Sequence, residues 1–175
     1  MQNRLLATLI AGLALLSTAT AAVPAALSTE GLAVGTEAPA FTLLDTHGRQ
    51  VDSQSLRGRT VVLNFWAFWC DTWKAELPHL KELSKHEDDS AFTTVAVSVD
   101  GTRYPEFLKL TRGDLPFPVC LDIGSKVTRA YRVSHVPTVV VIDPSGRIVY
   151  SHYGYPGNDI VLSQVRRIPK SVAQH

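Results

Sequence analysis

The sequence predicts an α/β fold with a mixed central sheet, helices on both faces and an N-terminal β-hairpin. Short uncharged runs of β-branched and aromatic residues, such as residues 61–65, are typical of strands buried on both faces. Other segments carry apolar residues at every third or fourth position, which is the spacing of amphipathic helices. Only a turn separates the last two strands, so we expect them to form an antiparallel pair.

The predicted elements form one domain without an internal repeat. In order they are a hairpin over 35–51, a helical turn over 53–58, a strand over 61–65, a helix after Cys70, a strand over 92–100, a helix over 104–111, a strand over 117–122, a helix over 125–131, strands over 139–142 and 148–152, and a helix over 159–167. Ser125 is the predicted N-cap of its helix. Residues 143–146 have the types that turn geometry favours.

The first 22 residues have the pattern of an export signal. Arg4 precedes an apolar run over residues 5–16, and small residues suited to cleavage follow. The run is about a dozen residues long, shorter than the roughly 20 that a membrane-spanning helix needs. We therefore expect a cleaved signal peptide, with an uncleaved anchor as the alternative. The protein is then exported to a periplasmic or other extracytoplasmic location. After cleavage we expect no stable membrane insertion. The predicted divisions are a signal peptide over 1–22, a linker over 23–34, a domain over 35–168 and a tail over 169–175.

Charge and cysteine content limit the classes of partner. The chain has 17 basic and 16 acidic residues, so it creates no broad field for nucleic acid or an anionic membrane, and we expect no nucleic-acid partner. We also expect a monomer. Two cysteines in an exported protein could pair. We interpret Cys120 as a small buried residue on a strand, and a redox pair of Cys70 with Cys120 is the alternative.

Cys70 lies where a predicted strand is followed by a helix. The free N–H groups and the positive dipole end of a helix start favour a thiolate over a thiol. The carboxylate of Asp71, next in the chain, acts in the opposite direction. Structural cysteines belong in strand interiors, whereas this one begins a helix beside an aromatic cluster. We therefore interpret Cys70 as a site residue, with a structural thiol as the alternative.

The residues around Cys70 resemble a known active site. They read Phe65-Trp66-Ala67-Phe68-Trp69-Cys70-Asp71-Thr72-Trp73. The segment is similar to that of the thioredoxin-fold family, specifically the exported TlpA-like disulfide reductases related to AhpC/TSA proteins, in which Phe-Trp-Ala-x-Trp is followed by Cys-x-x-Cys and a helix. The opening Gly-x-x-Ala-Pro-x-Phe and Asp-x-x-Gly, within residues 35–48, resembles TlpA-like domains and peroxiredoxins. The resemblance covers residues 32–167 and implies a thioredoxin-like fold.

The resemblance also implies a second anchor at Val136, Pro137 and Thr138. In the family the corresponding Val136-Pro137 bond is cis and faces the catalytic cysteine, and its backbone binds substrate as an added strand. The resemblance therefore implies that these three residues bind substrate. Trp69 is interpreted as lining the surface beside the sulfur.

The position of the family's second cysteine is occupied by Trp73. In the dithiol mechanism that second thiol resolves the mixed disulfide. The resemblance therefore implies a thiol-disulfide oxidoreductase that acts through Cys70 alone on protein or small-molecule thiols and disulfides, needs an external resolving thiol and uses no cofactor. The alternative is a binding module that has lost redox activity and holds an extended peptide or a partner protein beside Pro137.

Three residues are candidate modulators of the thiolate: Asp71, Trp73 and His135. The indole of Trp73 either covers the thiol or only packs, and His135 either approaches Cys70 as a proton partner or is an exposed loop residue. Cys70 and His135 are too few ligands for a metal site, so we expect none. His79 is interpreted as solvated surface.

Overall fold

A computed structural model describes residues 31–87, 92–100 and 115–169. Its strands are β1 Thr42–Asp45, β2 Gln50–Asp52, β3 Thr60–Trp66, β4 Phe92–Ser98, β5 Val119–Leu121, β6 Thr138–Ile142 and β7 Ile148–Tyr153. Its helices are a 3-10 helix Ser53–Leu56, α1 Trp73–Ser84, α2 Lys126–Ala130 and α3 Asn158–Arg167. The predicted signal peptide, linker residues 23–30, the predicted helix over 104–111 and tail residues 170–175 lie outside the described residues. Among the helices described, none has the length and hydrophobicity needed to cross a membrane.

The strands form one mixed sheet in the order β2-β1-β5-β4-β3-β6-β7. β3 pairs parallel with β4 and antiparallel with β6, and β4 pairs parallel with β5. All seven residues of β3 are buried, as its uncharged sequence predicts. β1 and β2 form the predicted hairpin, and β6 and β7 the predicted antiparallel pair. The mixed sheet and its central strand are confirmed.

Successive residues of β3 face opposite sides of the sheet, so two cores form. On one side, Val62 and Trp66 pack with apolar residues of α1 and α3. On the other side, Leu63 and Phe65 pack with Val127 of α2. Helices on both faces, as in a thioredoxin-like fold, are thereby confirmed. Because α1 lies on the first side, the turn that leads into it is held against the end of β3.

Ser125 occupies the N-cap position of α2, as the sequence predicts, but another side chain caps the helix. Ser125 has a left-handed backbone, with φ of 55°, and its side chain makes no capping hydrogen bond. The buried carboxylate of Asp122 caps the helix instead, accepting hydrogen bonds from the backbone N–H groups of Val127 at 3.1 Å and Thr128 at 2.7 Å. The Thr128 hydroxyl donates a further bond to it at 2.6 Å. The two carboxyl oxygens of Asp122 can satisfy more donors than one serine hydroxyl oxygen, so Asp122 takes over the cap.

Candidate active site

Cys70 lies in a tight turn between β3 and α1. The backbone N–H of Cys70 donates to the carbonyl of Ala67 at 3.2 Å, and the N–H of Trp73 donates to the carbonyl of Cys70 at 3.1 Å. The turn is tied to the neighbouring strand, because the N–H of Phe68 donates to the carboxylate of Asp100 at 2.7 Å. α1 begins only at Trp73. Cys70 therefore precedes the helix by three residues rather than forming its first turn, which corrects the expectation that the cysteine begins the helix.

The turn faces a loop with a cis peptide bond between Val136 and Pro137. The Cys70 thiol donates to the carbonyl oxygen of Val136, with 3.7 Å between sulfur and oxygen. The loop is held on both sides, since the Thr138 hydroxyl donates to the carbonyl of His135 at 2.7 Å and the N–H of Gly154 donates to the carbonyl of Pro137 at 2.8 Å. The structure thus brings Cys70 and the cis-proline loop together. Thr138, which is buried, uses its hydroxyl to shape this loop.

A second polar group touches the sulfur. The hydroxyl oxygen of Thr72 lies 3.1 Å from Sγ of Cys70, and either atom can be the donor. Thr72 was not among the candidate site residues predicted from the sequence. Its signal was a threonine immediately before the first residue of a helix and two positions after the candidate nucleophile.

The neighbouring tryptophans have different surroundings. Trp69 is 58% exposed and lines a groove of about 490 Å³ together with Val136 and His135. Trp73 is only 8% exposed, and its ring stacks on that of Phe68 with 5.1 Å between centroids. Trp73 therefore belongs to the core beneath the turn. Of the two interpretations of this residue, the geometry supports packing.

The two remaining candidate modulators make no hydrogen bond to the sulfur within the described part of the chain. Nδ1 of His135 lies 2.9 Å from the Ser134 hydroxyl, and its ring packs edge-on against Tyr153 with 5.0 Å between centroids. His135 is exposed, as the loop interpretation expects. Asp71 is also exposed.

A second groove, of about 550 Å³, opens on the other side of the cis-proline loop, and we call it the Glu76 groove. The residues that line it include Cys70, Thr72, Glu76, His79, Pro137 and Tyr155. Glu76 is only 4% exposed. Burial raises the pKa of its carboxyl to about 7, and the side chain of Asn64 in β3 partly offsets this effect. Among the described residues, neither Oε1 of Glu76 nor the Asn64 amide has a hydrogen-bond partner of normal geometry.

The far wall of the Glu76 groove is aromatic. The Tyr155 ring stacks on His79 with 6.0 Å between centroids, and its hydroxyl donates to Oδ1 of Asn158. Burial, together with the charge of Glu76, raises the pKa of Tyr155. His79 is exposed, but it is also part of this wall and not only solvated surface.

Glu76 and Tyr155 were both missed by the sequence analysis. Glu76 had a recognisable signal, because it lies on the apolar side of α1, three residues after Trp73 and four before Leu80. A charged residue on the apolar side of a helix either disrupts the packing or takes part in a polar site. Tyr155 had no such signal, since it follows the last strand in an ordinary loop.

The second cysteine is remote from this arrangement. Cys120 is fully buried in the core on the side of the sheet opposite α1, and both cysteines are free thiols. Burial, reinforced by the negative charge of Asp45, raises the pKa of Cys120 to about 12. The interpretation of Cys120 as a buried strand residue is confirmed, and its thiol lies away from Cys70. The described residues contain no cluster of three or more His, Cys, Asp or Glu side chains that could hold a metal ion.

A turn with a half-buried cysteine facing a cis-proline loop on this sheet is the arrangement expected from the sequence resemblance. The model of the AhpC/TSA family matches residues 34–151, which contain both segments. The chain belongs to the AhpC/TSA family. As in other thioredoxin-fold members, the sheet lies between helices, and the fold prediction is confirmed.

The relatives of this AhpC/TSA chain carry names from thiol-disulfide chemistry. The thiol-disulfide oxidoreductase ResA of Bacillus subtilis is 36% identical over 120 residues, which are 69% of this chain and 67% of that protein. The exposed lipoprotein thioredoxin of Streptococcus pneumoniae is similar in structure, with a TM-score of 0.66 and 27% identity over 74% of this chain and 100% of that one. The thioredoxin domain of a thiol-disulfide oxidoreductase from Bacteroides vulgatus has a TM-score of 0.65 and 28% identity, covering 77% and 99% of the two chains. These relatives do not favour the alternative of a binding module without redox chemistry.

Proposed function

We propose that this chain is an exported thiol-disulfide oxidoreductase that acts through Cys70 alone. The observation that carries the proposal is the 3.7 Å contact between the Cys70 sulfur and the carbonyl of Val136 in the cis-proline loop. A substrate segment that pairs with the Val136 backbone as an added strand would have its own disulfide beside that sulfur. The names of the relatives support the same chemistry.

The proposed reaction has two exchanges. The thiolate of Cys70 attacks one sulfur of the substrate disulfide, a new S–S bond forms, and the other substrate sulfur leaves as a thiolate. An external thiolate then attacks the substrate sulfur of the mixed disulfide, and Cys70 leaves as a thiolate. One half of the substrate is released as a thiolate, the other half ends in a disulfide with the external thiol, and Cys70 is unchanged at the end.

The external thiol is needed because no second thiol of the chain can take its place. Trp73 stands three residues after Cys70, where the sequence resemblance implies a resolving cysteine, and it is packed in the core. Cys120 is fully buried on the other side of the sheet. We therefore propose that a thiol from a protein or a small molecule completes each cycle.

The two grooves beside the cis-proline loop suit the two halves of a disulfide substrate, and Cys70 lines the Glu76 groove. Trp69 and Val136 line one groove, and Glu76 and Pro137 the other. Glu76, with a pKa of about 7, can hold or release a proton at neutral pH. We propose that it exchanges a proton with the thiol that leaves through its groove.

The proposed site of action is outside the cytoplasm. The export signal predicted over residues 1–22 supports this proposal. The relative from Streptococcus pneumoniae, named as an exposed lipoprotein, also supports it.

The proposal can be tested with oxidised glutathione as a small disulfide. We expect peptide mass spectrometry to find a glutathione adduct on Cys70 and none on Cys120, and an added thiol to remove the adduct. The parent chain should also accelerate the reduction of insulin by glutathione, and the Cys70→Ser variant should not. Absence of an adduct at Cys70, or equal acceleration by Cys70→Ser, contradicts the proposal.

A further inference from the structure

Thr72 does not use its hydroxyl as its position predicts. It is the N-cap of α1, where a threonine side chain ordinarily accepts a hydrogen bond from the backbone N–H of the second or third helical residue. Here the side chain makes no capping bond, and the backbone is helical, with φ of −70° and ψ of −21°. The hydroxyl lies instead 3.1 Å from Sγ of Cys70.

Three backbone N–H groups at the start of α1 are bonded to carbonyl groups rather than to the sulfur. The backbone N–H of Trp73 donates to the carbonyl of Cys70, and the N–H groups of Ala75 and Glu76 donate to the carbonyl of Thr72. These groups are therefore already bonded within the turn. Within the described part of the chain, the other hydrogen-bond contact of the sulfur is the carbonyl oxygen of Val136, which can only accept.

We propose that the Thr72 hydroxyl donates a hydrogen bond to the thiolate of Cys70 and so stabilises its reactive form. This inference rests on the proposed function of Cys70. The Val136 carbonyl favours the protonated thiol, because it accepts the S–H proton and repels a negative sulfur. A hydroxyl can reverse its role and donate to the anion. Thr72 thereby opposes Val136 and shifts the balance towards the thiolate.

The charged groups around the sulfur do not replace this bond. Asp71 is the next residue in the chain, and Glu76 lines the same groove, so an ionised carboxylate at either position disfavours a thiolate. His79 lies on α1 in the wall of that groove. His135, on the cis-proline loop, has its Nδ1 beside the Ser134 hydroxyl. Among the residues described, Thr72 supplies the side-chain hydroxyl in contact with the sulfur, and a hydroxyl can donate as well as accept.

The same bond would act twice in the proposed cycle. It raises the fraction of Cys70 that is thiolate and so available for attack. It also stabilises Cys70 as the leaving thiolate when an external thiol cleaves the mixed disulfide, since a better-stabilised thiolate leaves faster. A chain without a local resolving thiol depends on this second step for turnover.

The test compares Thr72→Val, which keeps the shape and removes the hydroxyl, with Thr72→Ser, which keeps the hydroxyl. The rate of alkylation of Cys70 by iodoacetamide is measured across pH, together with the ultraviolet absorbance of the thiolate. We expect the profile of Thr72→Val to move about one unit towards higher pH. Its alkylation at neutral pH should be roughly threefold slower, because its thiolate is scarcer but intrinsically more nucleophilic. Thr72→Ser should restore the parent profile.

Two control variants make the result specific. Cys70→Ser reports any alkylation of Cys120, and Thr42→Val changes an exposed threonine on β1, away from the sulfur. The inference is overturned if the Thr72→Val profile coincides with that of the parent or moves to lower pH. It is also overturned if the Thr72→Ser profile is displaced as far as that of Thr72→Val. If the parent forms the glutathione adduct while Thr72→Val has the parent profile, only the role of Thr72 fails; if the parent forms no adduct, the proposed function fails.

Discussion

Glu76 is a carboxyl placed where a helix ordinarily has an apolar residue. It lies between Trp73 and Leu80 on the buried side of α1 and is 4% exposed. Water is excluded from it, and Asn64 offers only partial compensation, so the neutral form is favoured and the pKa rises to about 7. Near neutral pH the folded protein therefore holds a proton that the unfolded chain would release.

This proton makes stability depend on pH in a defined direction. The folded pKa of Glu76 is about 7 and its ordinary value is 4.5. Between these values the folded state binds more protons than the unfolded state, so the free energy of unfolding falls as pH rises. We expect Glu76→Gln, which is neutral throughout, to gain stability relative to the parent across this range, by up to about 3 kcal/mol. Urea unfolding at a series of pH values measures the difference.

Glu82→Gln is a matched control on the exposed side of the same helix. There Lys85 lowers the pKa of the Glu82 carboxyl, so the shift is opposite in direction to that of Glu76. Glu82→Gln should therefore not stabilise the protein at neutral pH. A difference between Glu76→Gln and the parent that is the same at every pH would contradict the assignment of the raised pKa to Glu76.

At the scale of single elements, α2 shows how a very short helix is maintained. It has five residues, fewer than an isolated helix needs. Its first N–H groups are bonded by Asp122, a buried residue that lies outside the helix. The helix in turn contributes Val127 to the core beneath Phe65. The cap therefore connects a loop carboxylate to the packing of one face of the sheet.

Replacing Asp122 should lower the free energy of unfolding more than replacing Ser125, the cap that the sequence predicts. We expect Asp122→Ala to lower the free energy of unfolding by about 2 kcal/mol, because it leaves buried N–H groups and the Thr128 hydroxyl without their acceptor. Ser125→Ala should change it by less than about 0.5 kcal/mol, since its side chain makes no capping bond. Thermal or urea unfolding of the two variants measures both values. Equal losses would show that Asp122 is not the cap.

At the scale of the whole molecule, the sheet separates the two thiols. Cys70 is half-buried at the end of the sheet where β3 leads into α1. Cys120 lies in β5, between β1 and β4, and points into the other core. Its pKa of about 12 keeps it protonated as well as inaccessible. One thiol is thus suited to chemistry and the other to packing.

Alkylation of Cys70 should therefore measure the accessibility of the active-site turn, and alkylation of Cys120 should measure the unfolding of the sheet. In native protein we expect iodoacetamide to label Cys70 and to leave Cys120 unlabelled. In the Cys70→Ser variant, labelling of Cys120 should begin only at denaturant concentrations that unfold the sheet, and should coincide with the loss of circular dichroism. The Cys120→Ala variant provides the matched measurement for Cys70. Labelling of Cys120 before global unfolding would contradict its place in the core.

Much of the fold was predictable because burial leaves a periodic pattern in the sequence. The uncharged run of β3 and the helical spacing of α1 indicate which faces are buried, and this can be read without knowing what packs against them. The roles of Asp122 and Glu76 were not predictable in the same way. A carboxylate's partners depend on which groups the finished fold leaves within hydrogen-bond distance, and spacing along the chain does not encode this.

By itself the sequence determined the class of fold, the order of its strands and helices along the chain, and, through resemblance, the candidate nucleophile Cys70 and its cis-proline loop. Only the tertiary structure decided that Thr72 touches the sulfur, that Glu76 is buried beside it, and that Cys120 points to the opposite core. The physical reason is that periodicity records which side of an element is apolar, a local property. Whether a thiol or a carboxyl is ionised depends on the nearby hydrogen-bond donors, the nearby charges and the exclusion of water. The residues that provide these surroundings are far apart in the chain.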